Sequence, residues 1–197
     1  VVIERLAYRP LREAPSLAVL ITAIGVSYLL QQVAQLSWSS NPKSFTSVVS
    51  GMKPVSLFGG QLTISAETIV TIVACVVIMV VLMWFVNYTP AGHAMLAVSE
   101  DRGAAQLMGV NVNATISLTF AIGSALAAVA GALLCSSYPT LQPTTGAMPG
   151  IKAFTAAVFG GIGSIPGAML GGVLLGVIEQ LSKTYISTLW ADAIVFG

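Results

Sequence analysis

From Thr68 to Val86 the chain carries no charged residue and is dominated by β-branched and aliphatic side chains. As a helix rising 1.5 Å per residue, this run is long enough to cross a hydrocarbon core about 30 Å thick. That one stretch commits the chain to a bilayer. Composition agrees, with 56% hydrophobic residues and 8% charged ones, where soluble domains average roughly 25% charged.

Apolar runs of the same kind extend from Ser16 to Leu36 and from Ala114 to Cys135. Arg5, Arg9 and Arg12 precede the first of them and, by the positive-inside rule, place the N-terminus in the cytoplasm. The first span then points outward. Residues 38–67, with Pro42, Pro54 and Gly59-Gly60, read as an external loop in which Val55, Leu57, Leu62 and Ile64 alternate as in a hairpin. Gln31, Gln32 and Gln35 crowd the outer end of the first span, as interfacial groups or as a pore-facing strip. The second span returns inward, which sets Arg102 inside against Lys43 and Lys53 outside. The third is an interior helix: Gly123, Ala127 and Gly131 form one row of small residues, and Ser124, Ala128 and Ala132 the next. Such rows let helix backbones approach closely in lipid. The connection after it, with three prolines and no charge, is an ordered outer loop.

Between the second and third spans lies a charged segment, residues 89–110. Thr89 followed by Pro90 is a helix start, because a hydroxyl accepts an orphan N–H and proline lacks a donor where none is needed. Ser99, followed by Glu100 and Asp101, predicts a second start, and Gly109 a left-handed end. The expectation is two short helices with a bend at Ser99. The second presents Arg102, Ala104, Ala105, Leu107 and Met108, either as a solvated surface helix or as an element docked in a partner's groove.

Residues 151–182 are too long for one span: a single helix would run roughly 48 Å. The run breaks at Gly160, Gly161, Gly163, Pro166 and Gly167 into a piece of 151–163 and a piece of 166–182. Interrupted helices at membrane depth occur only against protein or a cavity, so the break is a candidate translocation path or gate, or else a packing corner. Glu179 and Lys183, four apart, make a local ion pair, Lys152 snorkels, and His93 is a surface imidazole.

Other chemistry is thin. The net charge of +1 points to no nucleic acid. One His and two Cys cannot form a standard structural zinc site, and Cys75 and Cys135, set in apolar runs, read as buried thiols rather than a disulfide. No carboxylate pair, nucleophile–base set or phosphate loop appears, so no metal, cofactor or catalytic residue is expected.

Gly103-Ala104-Ala105-Gln106-Leu107-Met108-Gly109 is similar to the Glu-Ala-Ala, three residues, Gly loop of ABC importer permeases, with Asp101-Arg102 just before it. Gly103 stands where the pattern has its acid. The opening ERLAYRPLR, the stretch PGIKAFTAAVFGGIGSIPGAMLGGVLLGVIE and the closing ADAIVFG also resemble the branched-chain amino acid, LivH-like group of these permeases. The resemblance implies an all-α polytopic transmembrane helical bundle with a re-entrant or broken glycine-rich helix. It implies a permease subunit, not an enzyme, of an ATP-driven importer of leucine, isoleucine and valine in the bacterial plasma membrane. Implied partners are a second homologous permease, two cytoplasmic ATP-binding subunits and an extracytoplasmic amino-acid-binding protein.

The coupling residues it implies are Ser99, Glu100, Asp101, Arg102, Ala104, Ala105 and Gly109. The alternatives are a passive channel or facilitator for small polar solutes, and a cargo of urea or short amides. The expected organisation is one transmembrane domain over 1–197, incomplete at both ends, with spans at 16–36, 68–86 and 114–135, the broken pair, and the coupling segment 89–110.

Overall fold

The computed structural model of the chain describes residues 2–11, 15–44, 55–57, 62–185, 190 and 193. A π-helical turn, Glu4–Tyr8, and a 3-10 turn, Arg9–Leu11, precede α1 (Ser16–Trp38). Then come β1 (Lys43–Ser44), β2 (Val55–Leu57), β3 (Leu62–Ile64), α2 (Ala66–Tyr88), α3 (Pro90–Glu100) and α4 (Arg102–Leu107). The chain continues through α5 (Val112–Ser137), β4 (Thr140–Leu141), α6 (Ala147–Phe159) and α7 (Ile165–Tyr185). The fold is all-α, with two short antiparallel ribbons among the described residues. The expected hairpin is present in the register Val55↔Ile64, Ser56↔Thr63 and Leu57↔Leu62. Its Gly59-Gly60 tip, Arg12, Lys53 and most of the closing ADAIVFG lie outside the described residues.

Among the described residues three helices, α2, α5 and α7, are long and apolar enough to cross a membrane. At 1.5 Å per residue they measure about 35, 39 and 32 Å, and α1 matches α2 at 23 residues. The helices that cover 16–36, 68–86, 114–135 and 166–182 each extend a turn or less beyond those bounds, because the flanking residues remain helical. Within α1, α2 and α5, hydroxyls bond back to carbonyls one turn earlier: Thr22 to Ala18, Thr71 to Glu67, Thr119 to Thr115, Ser136 to Ala132. That local bond satisfies a polar side chain where lipid offers no partner.

The chain divides into two compact units. In the first, Val1–Cys75 with Trp84–Thr144, Ser117 of α5 donates a hydrogen bond of 3.0 Å to Glu4, whose side chain is almost wholly buried. Tyr8 packs against Phe120 with ring centroids 5.1 Å apart and the rings tilted by 35°. The N-terminal turns therefore pack on the start of α5, where α3 and α4 also pack. Beyond the far end of α5, β4 pairs with β1, joining the connections that follow α1 and α5.

The second unit, Val76–Met83 with Thr145–Gly197, contains the α6–α7 hairpin, with a small core of Ala156 and Leu175. No residue of α2 is buried within the described chain, so its apolar surface meets lipid or other protein. Cys75 is accordingly exposed on α2 and Cys135 half-buried, both as free thiols. This corrects the expectation that both are buried: the sequence shows that a helix is apolar, not which of its faces the chain itself covers.

Candidate coupling segment and helix break

The segment after α2 turns a tight corner at Thr89. Its Oγ1 accepts from Gly92 N at 3.1 Å and donates to the Phe85 carbonyl at 2.6 Å, with Pro90 at the first helical position. A Cβ at Gly92 would overlap the carbonyls of Phe85 and Val86, so the corner requires glycine. His93 lies exposed with Nδ1 2.9 Å from the Thr89 carbonyl, in keeping with a surface imidazole.

The bend comes two residues later than expected. Ser99 does not cap: it belongs to α3 and donates its hydroxyl to Leu96 O at 2.7 Å, while Glu100 is the last, exposed residue of that helix. Asp101 is the joint. Its N–H closes α3 on Ala97 O at 3.1 Å, and its Oδ1 accepts from Gly103 N at 2.7 Å and Ala104 N at 3.1 Å to open α4. A carboxylate outcompetes a hydroxyl here because its full charge also meets the positive end of the new helix. A Cβ at Gly103 would sit 3.3 Å from that same oxygen, so the smallest residue stands beside the cap.

Gly109 ends α4 as read, with φ of +85°. Val110 N bonds to Ala105 O and Gly109 N to Gln106 O, both at 3.0 Å, the paired bonds of a Schellman end. Asn111 then caps α5, accepting from Ala114 N at 3.1 Å. Sequence reading missed that cap, although an asparagine between a helix-ending glycine and an apolar run is its signature.

Of the predicted docking residues, Ala105 is 4% exposed and faces inward, whereas Leu107 and Met108 are 90% and 84% exposed. Every residue of α4 but Ala105 is therefore exposed, and Leu107 with Met108 just past the helix end presents the large apolar side chains. Beside it opens a polar groove of about 450 Å³ running from Arg102 and Gln106 to Asn113 and Ile116.

At the other candidate site, the structure brings the predicted residues together. Gly160, Gly161, Gly163, Pro166 and Gly167 all lie in or beside the turn between α6 and α7. Gly161 and Gly163 have φ of +90° and +98°, which only glycine adopts freely. Gly160 and Gly167 serve differently: a Cβ on either would overlap the other's backbone. Ser164 opens α7 by accepting from Gly167 N at 3.1 Å, and Pro166 occupies the first turn, where its missing N–H has no partner to lose.

The first limb runs Ala147–Phe159 rather than 151–163: Pro149 falls within the first turn and does not break it, and the left-handed Gly161 and Gly163 belong to the turn that follows. Lys152 does not simply snorkel. Its ammonium reaches Glu179 at 2.8 Å, and Glu179 also holds Lys183 one turn on. Among the described residues no three His, Cys, Asp or Glu side chains gather to hold a metal ion.

The family model described as branched-chain amino acid transport system / permease component matches residues 1–197. The permease LivH of Salmonella typhimurium is 45% identical over 99% of this chain and 64% of its own length. BraD of Pseudomonas aeruginosa, also a high-affinity branched-chain amino acid transport system permease protein, is 44% identical over the same shares. A probable branched-chain amino acid transport permease of Methanocaldococcus jannaschii is 33% identical over 72% of this chain and 44% of its own length. The chain thus spans just under two thirds of the length of its bacterial relatives. No solved structure matches it. A match along the whole chain, joined to apolar helices of membrane-crossing length, places the protein in the branched-chain amino acid transport system permease component family.

Proposed function

We propose that the protein is a multi-pass permease subunit of an ATP-driven importer of leucine, isoleucine and valine in the bacterial plasma membrane. It works with a second permease, two cytoplasmic ATP-binding subunits and an external amino-acid-binding protein. The observation that carries this reading is α4: a six-residue helix fixed at both ends, presenting Leu107 and Met108 outward. Exposed apolar residues on so short a helix suit insertion into a groove on another protein. Names of the relatives supply the cargo.

In this mechanism the ATP-binding subunits grip α4 and close on ATP. The motion reaches α3 through Asp101 and α5 through Gly109 and Asn111, since single capped joints transmit displacement with little slack. The α6–α7 break marks the hairpin that borders the path. This end of the unit, with the N-terminal turns, faces the cytoplasm.

The test uses the complete transporter in proteoliposomes. Met108→Asp and Ala104→Trp should leave the permease inserted while uptake falls at least tenfold and the ATP-binding subunits no longer co-purify. Unchanged uptake overturns the coupling role. Uptake by the wild type without nucleotide would identify a passive channel instead.

A further inference from the structure

We propose that the α6–α7 hairpin moves as one rigid body because the Lys152–Glu179 ion pair locks its open end, making both residues positioning residues for transport. The contacts between the limbs follow steps of four. Gly160 meets Gly167, Ala156 meets Gly171, and Ala156 packs with Leu175. Steps of four on both helices are the ridges by which two helices interlock. Four residues before Ala156 stands Lys152, and four after Leu175 stands Glu179, joined at 2.8 Å. The pair therefore extends the contact row, at the end away from the turn.

Lys152 and Lys183 both reach Glu179 Oε1, but they do different work. Lys183 shares a helix with Glu179 and cannot hold the limbs together. Lys152 crosses between them. The side chains of Lys152 and Glu179 retain 25% and 19% exposure, so in water the pair would contribute little. Glu179 stands on a helix of membrane-crossing length, where parting it from Lys152 leaves its carboxylate to Lys183 alone beside apolar neighbours, which makes separation costly. The turn end is held by glycine contacts that would survive loss of the ion pair. Opening would start at the charged end.

Two readouts test the lock, of which only the first rests on the proposed transport function. In the assembled transporter, Lys152→Glu and Glu179→Lys should each lower branched-chain amino acid uptake about tenfold. The double exchange, made together with Lys183→Met so that the exchanged lysine meets no like charge one turn on, should restore it to within about threefold, and Lys183→Met alone should change it less than twofold. With Cys75 and Cys135 replaced by alanine, Lys152→Cys with Glu179→Cys should transport poorly until a short dithiol-reactive linker joins the two positions. Bridging that leaves uptake low, or a double exchange no better than its parents, overturns the proposal.

The second readout needs no cargo. Leu175→Cys, buried between the limbs, should react with a membrane-permeant thiol reagent several-fold faster when Lys152→Met is added, and no faster with Lys183→Met. Equal rates in all three overturn the lock. Failure of the wild type to take up amino acids overturns the transport reading and leaves this measurement to decide the lock.

Discussion

Asp101 joins two helices through one side chain and one amide, so its chemistry is open to direct substitution. Asp101→Ala removes the acceptor for Gly103 and Ala104 and should cost about 1 kcal/mol of local helix stability. Amide exchange through α4 should then quicken about fivefold, while Asp101→Asn, which keeps an acceptor oxygen, stays within twofold of wild type. Gly109 differs in kind. Nothing lies within 4 Å of where its Cβ would be, so the cost of a side chain is conformational and not steric. Gly109→Val should therefore lower the stability of the α4–α5 connection by about 1–2 kcal/mol, with Gly109→Asn milder. Thermal unfolding of the purified complex measures that ranking.

Legibility at this scale divided the same way. Thr89 and Gly109 announce themselves because proline and glycine leave few alternatives. The second cap did not, because Ser99, Glu100 and Asp101 are all permitted starts and only the register of α3 on the body decides among them. Glu4 was missed outright. Its partner Ser117 is 113 residues away, and no local pattern carries such a contact.

Helices were easier to read than their pairings. Long uncharged runs give α2 and α5 to within about a turn, since burying a backbone in lipid leaves the helix as the open-ended solution. The α6–α7 break was equally plain from its glycines and Pro166. Less plain was the division of labour among those glycines, which depends on which limb faces which. Gly161 and Gly163 serve the turn, and Gly160 and Gly167 the crossing. The structure predicts opposite remedies. Gly161→Asn, able to adopt a left-handed backbone, should assemble with modest loss, whereas Gly167→Leu should force the limbs apart and sharply reduce assembled transporter. Quantifying permease in membranes, then in the purified complex, separates the two. The partner of Lys152 was hidden for the same reason, because spacing within one helix pointed only to Glu179 and Lys183.

Sidedness belongs to the whole molecule, and here the two ends of α5 make opposite claims. At its start the unit gathers the N-terminal turns, α3 and α4, which the proposed function assigns to the cytoplasm. Past its end, β4 pairs with β1 in the register Lys43↔Leu141. Antiparallel partners of this kind place Cα atoms about 4.5–5.5 Å apart, inside the range a disulfide can bridge. Lys43→Cys with Leu141→Cys should therefore cross-link in the oxidising space outside the plasma membrane and, once opened by a membrane-impermeant reductant, take up a membrane-impermeant alkylating reagent in intact cells. A single Leu107→Cys should do the reverse, with labelling only after the membrane is opened. Labelling of both positions from the same side would break the alternation of spans. Labelling of Leu107→Cys from outside would turn α4 away from any nucleotide-driven partner, since ATP is held within the cell.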